Sequence, residues 1–205
     1  MIKSSKKEYK ETVLNIIGSI FIIVGIAAVI NAIYLKDYAG ILWFCYSGLI
    51  LLGISILKRN SYLLAAQLNI FAIPLVLWTV DFFSILINGQ SLFGIVGYFF
   101  LKGPVIGKII SSQHLLTLPL SLYALHLIGL NKKDTWKLSF IEITALFIIT
   151  FLITPEASNI NCIYKACNNF MSSEFYVLNL FALSFSMILI TAFFINLFFL
   201  KDREK

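Results

Sequence analysis

Of 205 residues, 60% are hydrophobic and 13% are charged, about half the charged fraction of a soluble domain. The charges fall between long apolar runs, which excludes a soluble globular protein and leaves a single all-α membrane domain as the fold class. The net charge of +6 comes from short Lys and Arg clusters at the ends of those runs, not from basic stretches interleaved with base-stacking aromatics. Nucleic acid is therefore excluded as a partner, and the positive charge reads as a topology signal.

The chain opens with a polar, basic stretch carrying Lys3, Lys6, Lys7 and Lys10, then turns apolar over residues 13–34. That run exceeds the ~7–15 apolar residues of a secretory signal, and no small-residue cleavage site follows. It is expected to stay as the first of six spans. The second covers about 39–57 and the third about 62–87, with Pro74 in its middle and Lys58-Arg59 between the two. Residues 88–103 are apolar and aromatic but broken by Gly89, Gly94 and Gly97. They are too short and too glycine-rich for a span, and read either as an interfacial or re-entrant segment or as an ordinary loop with aromatic anchors. The remaining spans are expected over about 106–130, with Pro119 inside, 138–154 and 175–200. The two prolines either line cavities through freed backbone carbonyls or only kink their helices.

Sidedness follows from counting. With a cytoplasmic amino terminus, six spans place twelve Lys and Arg residues inside and leave four outside, Lys36, Lys102, Lys108 and Lys165. The bias predicts a cell (inner) membrane protein with both termini cytoplasmic and membrane lipids as its surroundings. It says nothing about oligomeric state.

An ionisable group at membrane depth is costly unless it is paired or wetted. In this topology Asp81, near the outer end of span three, and His114, near the outer end of span four, fall at similar depth. Gln67, Pro74 and Asp81 recur every seven residues, and Ser111, His114, Thr117 and Ser121 share a helical face, so the two polar stripes are expected to turn toward each other. A carboxylate that holds one imidazole nitrogen makes the other a better base. His114 is the candidate base, Asp81 its orienter, and Thr79 or Ser91 the candidate hydroxyl. The bland alternative is an interhelical hydrogen bond that locks the bundle. Trp78, Tyr98, Glu156, Asn159 and Asn161 fall on the same outer side as candidate substrate-binding residues. Cys162 and Cys167 are expected to form a disulfide if that side is oxidising. Glu142 is expected to snorkel or to pair with Lys137 or Lys133, and Cys45 to act as a small apolar filler.

Three functions compete. One is a lipid-modifying or hydrolytic intramembrane enzyme at the outer leaflet. Another is a small proton- or cation-coupled transporter, which needs Gln67, Asn69 or Glu142 to continue a path inward. The third is a structural or assembly protein. No nucleotide loop, paired-His metal motif or Gly-x-Ser-x-Gly elbow is present, so no cofactor or metal is expected.

Trp78-Thr79-Val80-Asp81-Phe82, Gly89-Gln90-Ser91-Leu92-Phe93-Gly94 with Tyr98, His114 followed by Leu118-Pro119, and Thr154-Pro155-Glu156 with Asn159-Ile160-Asn161 form a motif series. Over residues 78–164 it resembles an uncharacterised family of small prokaryotic multi-pass integral membrane proteins. That family follows Asn-Ile-Asn with Trp-Val, where this chain has Cys162-Ile163. The resemblance implies which positions matter and carries no activity.

Overall fold

The computed structural model describes residues 2–167 and 175–200, which form eight α-helices joined by loops and short 3-10 turns. They are α1 (Ile2–Tyr34), α2 (Phe44–Leu57), α3 (Ser61–Asn88), α4 (Gly97–Phe100), α5 (Val105–Ser111), α6 (His114–Ile128), α7 (Thr135–Ile153) and α8 (Tyr176–Phe199). Four helices are long and apolar enough to cross a membrane: Ser5–Tyr34 within α1, and α3, α7 and α8.

Two of the expected spans are divided. Residues 39–57 form a 3-10 turn (Ala39–Leu42), a break at Trp43 (ψ 124°) and then α2. The 14 residues of α2 rise only about 21 Å at ~1.5 Å per residue, short of a hydrocarbon core of about 30 Å. The fourth span breaks at Ser112-Gln113 into α5 and α6. There the Leu115 amide donates to the Ser112 carbonyl, 3.1 Å away, and not to Ser111 four residues back. Neither proline causes the break, since Pro74 and Pro119 both lie inside helices with their rings exposed.

α3 is the hub, packed against α2, α6, α7 and α8. One core joins Leu14, Phe21, Leu52, Leu68 and Leu125 of α1, α2, α3 and α6. A second joins Ile143 and Phe147 of α7 to Leu180 and Ile188 of α8. Close approach of α1 and α2 depends on glycine. A Cβ at Gly53 would stand 2.6 Å from the Gly18 carbonyl oxygen, the backbone-to-backbone contact that small residues permit between membrane helices. Gly53→Leu is therefore expected to lower the thermal midpoint by roughly 5–10 °C, an overpacking effect. Gly97→Ala, whose Cβ would meet nothing, should leave the midpoint unchanged in the same melting experiment.

The basic-rich end of the bundle is tied by Arg59, which donates to Glu11 at 2.5 Å and to Asn15 at 2.8 Å. Glu142 pairs with neither Lys137 nor Lys133. Its carboxylate accepts from Gln67 Nε2 at 2.5 Å, and Lys137 lies instead 3.5 Å from Asp134. Two residues on from Gln67, Asn69 Nδ2 donates to Thr135 and Ser139, so α3 and α7 are joined by a polar layer.

Candidate functional site

Gly89, at φ 70°, ends α3 in the left-handed conformation that glycine adopts without strain. The chain then turns back onto α3 instead of continuing away, because Asp81 collects it. Asp81 is 0% exposed. Its carboxylate accepts from the Ser91 hydroxyl (2.7 and 2.8 Å) and from the amides of Phe93, Ile95 and Val96, each at 2.9 Å. All four partners donate, an arrangement suited to an acceptor-only carboxylate. Ser91 in turn accepts from the Gly94 amide at 2.7 Å. Residues 91–96 thus form a cap in which three backbone donors are satisfied by one buried side chain and a fourth by Ser91.

This corrects the pairing expected from the sequence. Asp81 and His114 share no hydrogen bond among the described residues. The Ser91 proton is committed to Asp81, so Ser91 is not a hydroxyl held by His114. Thr79 is half-buried and does not line the cavity described below.

The two polar stripes do not meet: Gln67 turns to Glu142 and Asp81 to the 91–96 loop, and α3 reaches His114 instead through Trp78. Its indole, 4% exposed, stacks on the His114 imidazole with centroids 4.9 Å apart and 18° between planes. It also stacks on Phe82 at 5.2 Å. Trp78 Nε1 donates to the Tyr98 hydroxyl at 3.1 Å, which fixes the docked loop against the same indole. Burial pushes the Tyr98 phenol above its ordinary range, although hydrogen bonds with Trp78 and Ser111 oppose the shift. Tyr98 is neutral at physiological pH and keeps a proton to donate.

His114 has a defined tautomer. Its Nδ1 lies 2.7 Å from the Ser111 carbonyl oxygen, an atom that only accepts, so Nδ1 carries the hydrogen and, in the neutral ring, Nε2 carries the lone pair. The 3.1 Å approach of Gln113 Nε2 to Nδ1 is then a contact, not a hydrogen bond. The helix break supplies the geometry, since Ser111 would otherwise accept from the Leu115 amide.

His114 and Trp78 form part of the wall of a cavity of about 600 Å³. The ends of α1 and α5, the start of α2 (Trp43, Cys45, Tyr46) and the docked loop (Ile95, Tyr98, Phe99) complete it. Cys162 and Cys167, joined in a disulfide, form another side. The cavity is mainly aromatic and aliphatic with a few polar groups, the usual character of a ligand site. Among the described residues, no group of three or more metal-ligating side chains is present.

The loop after α7 enters this wall through Cys162 and Cys167 and is shaped by its asparagines. Asn159, at φ 42°, accepts from the Tyr164 and Lys165 amides and donates to the Lys165 carbonyl, closing the turn that carries the disulfide. Asn161 Oδ1 accepts from the Phe44 amide at 2.9 Å, and its Nδ2 donates to Leu42 and Thr150. It caps α2 from 117 residues away in the chain. Glu156 is exposed and absent from the cavity wall. Gln67, Asn69 and Glu142 also stay outside it.

Sequence reasoning missed Cys45, Tyr46, Lys108 and Gln113 as wall residues. Gly103-Pro104 with Gly107 is the one local signal that the backbone stays open there. A Cβ at Gly103 or Gly107 would meet nothing within 4 Å. No family model, curated protein or solved structure matches this chain.

Proposed function

We propose that the cavity holds a membrane-borne amphipathic molecule and that His114 acts on its polar end as a general base, making the protein a lipid-modifying or hydrolytic enzyme. The observation that carries this reading is the His114 imidazole, held in one tautomer by the Ser111 carbonyl and on one face by Trp78, with Nε2 unpartnered among the described residues. A neutral, oriented imidazole at an apolar wall is equipped to take a proton from a water or a substrate hydroxyl. Asp81 contributes by building the wall and does not orient the base. Trp78, Tyr98 and Phe99 supply the face against which an acyl or prenyl chain packs.

The arrangement in the membrane follows the charge bias. Six crossings, made by α1, α2 with its preceding turn, α3, α5 with α6, α7 and α8, keep both termini and twelve of the sixteen Lys and Arg residues cytoplasmic. The cavity then lies at the outer leaflet. A family of small prokaryotic multi-pass membrane proteins with the same motif series is the proposed kinship.

Transport is the weaker reading, because Gln67, Asn69 and Glu142 form the α3–α7 polar layer and none of them lines the cavity. The test is mass-spectrometric comparison of extracted membrane lipid incubated with the wild-type protein and with His114→Ala in proteoliposomes. A lipid species consumed by the wild type and spared by the variant supports the enzyme. Equal profiles with wild-type protein and with empty liposomes would overturn it.

A further inference from the structure

The amphiphile-site reading leaves the headgroup open, and the charges around the cavity narrow it. We propose that the occupant is anionic, a phosphate- or carboxylate-headed amphiphile whose charge is met by Lys108. Among the described residues, Lys108 is the one lysine or arginine that lines the cavity, and no Asp or Glu lines it. The two ion pairs among those residues, Arg59–Glu11 and Lys137–Asp134, do not involve it. An ammonium at membrane depth with no counter-charge is costly unless it reaches water or receives a ligand anion.

The neighbouring polar groups suit an anion as well. Tyr98, whose oxygen accepts from Trp78, and its hydrogen-bond partner Ser111 bring two hydroxyls to the same wall. Asn31, from the end of α1, brings an amide donor to the same wall. His114 Nε2 is an acceptor in its fixed tautomer, placed to take the proton of a monoprotonated phosphate or of an attacking water and not to compete for the negative charge. The aromatic remainder, Trp43, Trp78 and Phe99, receives the apolar chain. A zwitterionic choline or ethanolamine headgroup would bring a second cation to a wall with no carboxylate among the described residues.

Two of the three tryptophans, Trp43 and Trp78, line the cavity, and Trp136 lies elsewhere, beside Lys137. In a Trp136→Phe background, reconstituted protein is titrated separately with phosphatidic acid, a free fatty acid and phosphatidylcholine, each brominated on its acyl chain to quench nearby indoles. The expected result is saturable quenching by one or both anionic lipids at mole fractions at least roughly tenfold below phosphatidylcholine, the discrimination of a charge-assisted hydrogen bond. Lys108→Gln should remove that preference and Lys108→Arg should keep it. Phosphatidic acid alone identifies a phosphate headgroup, and the fatty acid alone a carboxylate. Equal saturable quenching by all three lipids overturns the anion assignment and leaves the amphiphile site standing. No saturable quenching by any of them overturns both. The headgroup comparison on the wild-type Lys108 decides the question even if Lys108→Gln does not fold.

Discussion

Asp81→Ala is expected to release residues 91–100 from the end of α3 and, with them, one wall of the cavity. The Phe93, Ile95 and Val96 amides and the Ser91 hydroxyl lose their common acceptor. A buried donor left unsatisfied costs about 1–3 kcal/mol. Three such amides together cost more than a short loop gains from packing, so the segment should open locally instead of tolerating the loss. Hydrogen exchange in detergent or nanodiscs should show amides 93–96 falling to unprotected rates, with α3 and α7 unchanged. Asp81→Asn keeps the volume but turns an NH2 toward the donating amides, and should lose roughly half as much protection. Persistence of protection in Asp81→Ala would show that packing alone holds the loop. Were Asp81 an orienter of His114, the loop would be indifferent to the change, so the two roles separate cleanly.

The second large effect is at His114. His114→Phe retains a ring to stack on Trp78, a contact worth ~1 kcal/mol, but removes both nitrogens. A positioned general base contributes about 10²–10⁴-fold to a rate, and a loss of that size is expected for His114→Phe with a melting temperature close to the wild type. His114→Ala should lose the same activity together with stability, because Trp78 then loses a stacked ring and keeps Phe82 and the edge contact with Phe99. Retained turnover in His114→Phe would reduce the histidine to a spacer.

Hydropathy alone located most of the helices, because burial of a 20-residue apolar run in lipid needs no partner to be read. α3, α7 and α8 begin and end within about three residues of the expected bounds. The divisions at Trp43 and at Ser112-Gln113 were not legible, since they depend on which carbonyl each amide reaches and neither site carries a proline. The candidate site was half legible. Trp78, Asp81, Ser91, Tyr98 and His114 all belong to one connected arrangement, but their roles were exchanged. Depth pairs Asp81 with His114, whereas its partners are Ser91 and three backbone amides, which have no side-chain identity in a sequence. Gly89 and Gly94, both at positive φ, were the visible trace of that loop. Asn159 and Asn161 shape the wall through turns and a long-range cap, a use of asparagine that spacing does not distinguish from ligand binding. Glu156 carries a charge on the expected side but stands in the open.

Occupancy of the cavity is the claim on which the rest depends, and photo-crosslinking with a diazirine-bearing acyl lipid measures it directly. In wild-type protein, labelled peptides are expected from residues 43–46, 95–114 and 162–167 in addition to the outward faces of α1 and α8. Gly107→Leu, which adds a side chain where a Cβ meets open space, should suppress the first three and leave the outward labels unchanged. Labelling confined to the outward faces in both proteins would contradict a lipid in the cavity.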